Sequence, residues 1–110
     1  ELLERVQAFL THGGMNSVHE SLLAGVPMVV VPLQEEEAIV GRRVVETGAG
    51  VGLRLEPPYG AASAEELRAG LGEILGDGRY ARRAREIGEG LRAAGGAGRA
   101  AAVVLGVAGQ

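Results

Sequence analysis

The sequence predicts an α/β fold, a parallel sheet with flanking helices, on three observations. Short apolar runs alternate with helix-like segments through the first half of the chain, the pattern of strands joined by crossover helices. The run from Val26 to Val31 is apolar at every position and rich in Val, which suits a strand buried on both faces. The apolar fraction is 46%, yet there is one Phe, two Tyr and no Trp. The core must therefore come from Val, Leu, Ile and Ala, side chains that fit buried parallel strands and close-packed helices.

The elements follow in order. Val6 to Thr11 reads as a short buried strand. Ser17 to Ala24 reads as a helix that Gly25 ends as its C-terminal cap. Val26 to Val31 is the second strand. Glu35 to Thr47 reads as a helix stopped by Gly48, and Gly50 to Leu55 as a third strand. Glu56 to Gly60 holds two Pro and a Gly and reads as a loop. Ser63 and Glu66 are spaced as a capping box, which opens a helix to about Gly76. Asp77-Gly78 makes a turn, and Arg79 to Ala94 a further helix. Beyond Gly95-Gly96 an Ala- and Val-rich segment to about Leu105 predicts a last helix.

At 110 residues one domain is expected, without internal repeats or a dividing linker. Three parallel strands are few for such a sheet, and position 1 is Glu rather than Met. The expectation is a piece of something longer, with exposed sheet edges that leave room for a homo-oligomer. Net charge is −3, and all 11 basic residues are Arg, no footprint for nucleic acid. Arg79, Arg82, Arg83 and Arg85 read as a solvated helix face. There is no cysteine, so thiol and disulfide chemistry are excluded and a cytoplasmic home is expected. No apolar run approaches a membrane span.

The chemistry concentrates in one junction, Phe9 to Pro32, FLTHGGMNSVHESLLAGVPMVVVP. A helix N-terminus presents unpaired N–H groups and a partial positive charge. Gly13 and Gly14 permit a sharp turn and close approach of a ligand. The loop from His12 to Ser17 is thus a candidate phosphate cradle, at the carboxyl end of a strand where open α/β sheets collect ligands. Pro32 to Glu37 should lie at the same edge. A plainer reading competes: Gly-Gly is a tight turn, and Ser17 and Glu20 form a capping box that serves the helix alone. Glu35, Glu36 and Glu37 suit the first turn of a helix through its dipole; alternatively one of these carboxylates binds a polyhydroxylated ligand. His19 falls within the helix without an evident partner and reads as structural.

The run THGGMNSVHESLLAGVPMVVVP, continued by RRVVETGAGVGLRL, resembles the nucleotide-sugar-dependent glycosyltransferases of the two-Rossmann-domain (GT-B) type. The likeness is to the bacterial macrolide and antibiotic glycosyltransferases of the UDP-glycosyltransferase superfamily. It spans nearly the whole chain and is most specific from His12 to Val44. The resemblance implies a Rossmann-like sheet, with residues 1–110 as the C-terminal portion of a nucleotide-sugar-binding domain. It implies diphosphate contacts from His12, Gly13, Gly14, Asn16 and Ser17, ribose contacts from Glu20, and donor-sugar contacts from Glu36 and Glu37. The family's acidic-Gln pair aligns with Glu36 and Glu37, so Glu37 places a carboxylate where an amide is usual and lacks its N–H donors at neutral pH. The family's Asn three residues on is Val40.

The resemblance further implies transfer of a hexosyl group from a UDP- or TDP-sugar to a small hydrophobic acceptor such as a natural product, with inversion. The donor is a substrate, and no cofactor or metal is expected. The catalytic base and acceptor pocket are expected in an N-terminal domain, so no catalytic residue is assigned here and the 110 residues alone are expected to be inactive. The alternatives are a non-catalytic nucleotide-sugar-binding module, or subunit of a two-chain transferase, and more weakly a sugar-nucleotide epimerase of the same architecture.

Overall fold

The structure, a computed structural model, describes residues 8–94. Three strands, β1 (Phe9–Thr11), β2 (Met28–Val30) and β3 (Gly50–Gly52), form one parallel sheet in the order β1-β2-β3. Phe9 pairs with Met28, and Met28 with Gly50. Four helices accompany them: α1 (Met15–Leu23), α2 (Glu35–Thr47), α3 (Ala64–Gly76) and α4 (Gly78–Ala93). This is the α/β parallel sheet with flanking helices that the sequence predicts. Val6 and Gln7, assigned to the first strand, lie outside the described residues, as does the helix expected beyond Gly96.

β2 alternates between two cores, which explains why it is apolar throughout. Met28 and Val30 face a cluster with Val18 and Leu22 of α1, Val40 and Val44 of α2, and Ala84, Ile87 and Leu91 of α4. Val29 and Val31 face the opposite way, against Ile74, Leu67 and Leu71 of α3. The crossovers α1 and α2 share one face. That follows when the strand order advances one step at a time with crossovers of a single hand.

Helix ends are set by local bonds. After α1 the N–H groups of Gly25 and Val26 donate to the carbonyls of Leu22 and Ser21, a Schellman closure. Gly48 and Ala49 close α2 in the same way, on Val45 and Val44. At α3 the capping box is present as expected: Glu66 N–H donates to Ser63 Oγ at 3.1 Å and Ser63 N–H to Glu66 Oε1 at 2.9 Å.

Several boundaries differ from the sequence reading, and β2 is Met28–Val30 rather than Val26 to Val31. β3 ends at Gly52 rather than Leu55 because the chain turns at Arg54, whose φ is 56°; the Arg54 guanidinium then reaches Glu66 at 3.0 Å. Gly78 is the first residue of α4 rather than part of a free turn, because the Asp77 carboxylate accepts from Arg79 N–H at 3.0 Å and caps the helix. α1 begins at Met15, two residues before Ser17.

α4 runs beneath the carboxyl ends of α1 and α2. Gly88 permits this, since a Cβ there would strike the Leu22 carbonyl. Arg83 Nε donates to the Thr47 carbonyl at 2.7 Å, and Arg92 donates to the Leu23 carbonyl. Two arginines of α4 thus meet the negative ends of two neighbouring helix dipoles.

Candidate functional site

The carboxyl end of β1 turns sharply into α1. Thr11 is buried, and its Oγ1 accepts the Gly13 N–H at 3.1 Å. Its carbonyl accepts the Val31 N–H at 2.8 Å. Gly13 has φ 101°, and a Cβ there would meet the Glu37 carbonyl oxygen at 2.7 Å and Val30 Cγ1 at 3.2 Å. Only glycine fits that combination of backbone and space. The contact with Glu37 places the loop after β1 against the start of α2, on one edge of the sheet, as expected.

Gly14 is different. It is the N-cap of α1, with φ −66° and ψ 139°, and no side chain caps the helix. A Cβ on Gly14 would find nothing within 4 Å. The first intrahelical bond runs from Val18 N–H to the Gly14 carbonyl at 3.0 Å. The N–H groups of Met15, Asn16 and Ser17 precede that bond and have no intrahelical partner. The capping box offered as the plainer reading of Ser17 and Glu20 is therefore not formed: Ser17 is the third helical residue, not the N-cap.

His12 is exposed on the same loop, and its Nδ1 lies 3.1 Å from the Val31 carbonyl. Asn16 and Glu20 are exposed one turn apart on α1, and so share a face. His19 lies on the same helix, half-buried, with its Nδ1 unpartnered among the described residues.

At the start of α2, Glu35 and Glu36 are exposed. Glu37 is half-buried, and its Oε1 accepts the Leu33 N–H at 2.8 Å. The structure thus brings His12, Gly13, Gly14, Asn16 and Ser17 together with Glu37. Glu36 stands beside them on the same first turn, and Glu20 one turn along α1. Sequence reasoning missed the buried Thr11 and the Val31 carbonyl, which fix the loop. A Thr at a strand end, two residues before a Gly, is the signal for the first; a backbone acceptor has none.

An open groove of about 680 Å³ lies elsewhere, at the other end of α2. It is lined by Thr47, Gly50, Asp77, Tyr80 and three arginines of α4 among others. Several of its charges are paired with one another. Arg79 pairs with Asp77 at 2.7 Å, Arg83 with Glu86 at 3.2 Å, and Tyr80 donates to Glu73. That last bond raises the Tyr80 hydroxyl above its usual pKa. Arg79, Arg82, Arg83 and Arg85 are all exposed, the solvated face that the sequence predicts, with Arg79 and Arg83 in surface ion pairs. Among the described residues no group of three His, Asp or Glu is placed to hold a metal, and no helix is long and apolar enough to cross a membrane.

A short strand, a glycine turn and an uncapped helix start, with carboxylates on the next helix, make an arrangement on an α/β sheet that can take up an anion. Comparison with known proteins gives the class. Residues 1–95 match the family described as "Erythromycin biosynthesis protein CIII-like, C-terminal domain", and the chain belongs to that family. It is 38% identical over 96% of its length to a protein named uncharacterized UDP-glucosyltransferase YojK of Bacillus subtilis (strain 168). It is 41% identical over 92% of its length to the NDP-glycosyltransferase YjiC of Bacillus licheniformis. These matches cover 25% and 24% of the two relatives, so the chain spans about a quarter of their length. The crystal structure of the kitacinnamycin glycotransferase superposes with a TM-score of 0.75 at 34% identity, over 94% of this chain and 26% of that one.

Proposed function

We propose that the chain is the diphosphate-binding part of a glycosyltransferase donor site, with a UDP- or TDP-sugar as the donor. Gly14 carries this reading. It heads α1 without any side-chain cap, and the space a Cβ would take is empty of protein. That open space lets a ligand approach the backbone at the helix start closely. The N–H groups of Met15, Asn16 and Ser17 then bind phosphate oxygens, helped by the helix dipole. His12 donates to the same group, Glu20 accepts from ribose hydroxyls, and Glu36 accepts from the hexose. Glu37 stands where a second hexose contact is expected.

In the parent enzyme, charge that grows on the departing diphosphate is stabilised by these donors. A base contributed from outside this chain deprotonates the acceptor hydroxyl, and the anomeric centre inverts. The acceptor is a small hydrophobic molecule such as a natural product, and the cytoplasm is the expected setting. These readings rest on the family likeness, as does assignment of residues 1–110 to the C-terminal part of the donor domain. The second reading is a module that binds nucleotide sugar without catalysis. It is favoured by Glu37, whose carboxylate is already engaged by Leu33 N–H.

Calorimetric titration of the chain with UDP, dTDP and UMP tests the proposal. UDP or dTDP should bind at least about tenfold tighter than UMP. His12→Ala should lower diphosphate affinity by about 10- to 100-fold, the loss of one charge-assisted hydrogen bond. Equal affinity for UMP and UDP would contradict a diphosphate cradle.

A further inference from the structure

We propose that the cradle takes up its diphosphate together with one proton, held on His12 Nε2. The inference rests on the donor-site reading above and adds the charge state of the complex. His12 Nδ1 is 3.1 Å from the Val31 carbonyl. A carbonyl oxygen only accepts, so Nδ1 is the nitrogen that carries hydrogen. A neutral imidazole has one N–H, and here that N–H is spent on Val31. Nε2 of the exposed ring is then a bare lone pair, an acceptor, and it repels a phosphate oxygen. The ring becomes a donor to phosphate only when Nε2 gains a proton.

The charges around the loop sharpen this. From Ala8 to Gly41 the chain has no arginine and no lysine. The titratable groups are His19 and Glu20 on α1 and Glu35, Glu36 and Glu37 in the first turn of α2; further along α2, Arg42 pairs with Glu56 and Arg43 with Glu46. Glu37 is engaged by Leu33 N–H, and no ion pair joins His12 to any of these carboxylates among the described residues. A diphosphate in this surround meets backbone N–H groups and four carboxylates, with His12 as the one side chain on the loop able to become a cation. The step balances simply: Nε2 takes a proton from water or buffer, forms an N–H bond, and donates it to a non-bridging phosphate oxygen. Val31 holds the ring in place throughout through Nδ1–H.

The test is titration of the 110-residue chain with UDP at about pH 8, in buffers of different ionisation enthalpy, with nitrogen NMR of the His12 ring. The expected result in the free chain is the Nδ1–H tautomer. In the complex both nitrogens are protonated, and about one proton is taken up per UDP bound. Affinity falls as pH rises, by up to about tenfold per pH unit where the complex holds one proton more than the free chain. His12→Gln, which offers an amide donor without titrating, should bind with no proton uptake and a flat pH profile. UDP binding without proton uptake, or an Nε2–H ring with bare Nδ1 in the complex, overturns the inference and leaves the donor site standing. A chain that binds no diphosphate at any pH removes the donor-site reading and this inference with it.

Discussion

Gly13 and Gly14 are neighbours with opposite reasons for being glycine. Gly13 answers to the fold: φ 101° and the Glu37 carbonyl 2.7 Å from a would-be Cβ leave no place for a side chain. Gly14 has a backbone that any residue adopts and open space around it. Gly13→Ala should therefore destabilise the chain by about 1–3 kcal/mol, through strain and a close contact. Gly14→Ala should cost less, about 1 kcal/mol or below, since Ala is the poorer N-cap. It should nonetheless weaken diphosphate binding by about tenfold or more, because the new methyl occupies ligand space. Chemical denaturation and UDP titration of both variants separate the two effects. The residue scale is also where the sequence was least legible. HGGMNS marks the loop, but nothing in it tells which Gly serves the turn and which the ligand. Nor does it tell that Thr11 Oγ1 and the Val31 carbonyl hold the loop. Those are through-space partners, and Val31 lies 19 residues from His12.

At the scale of elements, the helix starts decide most outcomes. Ser63 and Glu66 were legible as a capping box because the spacing and the first turn agree, and both bonds form. Ser17 and Glu20 have the same spacing and form none, because the Gly13-Gly14 turn starts α1 two residues earlier. A spacing rule cannot see that a preceding turn has already begun the helix. Removing the box by Ser63→Ala should cost about 1 kcal/mol, seen as a lower denaturation midpoint.

The start of α4 gives a prediction in pH. The Arg79 guanidinium and then the Arg79 N–H hold the Asp77 carboxyl down to about 2, from an ordinary 3.8. A carboxyl depressed in the folded state contributes stability that is complete above the unfolded value and lost as pH falls through the folded one. The α4 cap should therefore weaken between about pH 4 and pH 2, with the Arg79 amide resonance moving in that window. Asp77→Asn should abolish that movement. The Glu66 carboxyl, lowered first by Ser63 N–H and then by Arg54, acts in the same direction at α3.

For the whole molecule, the parallel α/β class was legible from periodicity because β2 is buried on both faces and has to be apolar throughout. Arg83 and Arg92 were not legible as partners of the α1 and α2 termini, since only the packing of α4 beneath the carboxyl ends of those helices brings them there. The N-termini of both helices lie at the other end, and it is there that we propose the ligand binds. The account stands on α1's uncapped start as a diphosphate cradle. The most direct test is a two-dimensional amide spectrum of the chain titrated with UDP, for the parent and for Gly14→Ala. The account predicts dispersed resonances that shift from Gly13 to Glu20 in the parent, and a variant equally dispersed but unresponsive at the same concentrations. Shifts centred on the arginine-lined groove, or a Gly14→Ala chain that responds as fully as the parent, would contradict it.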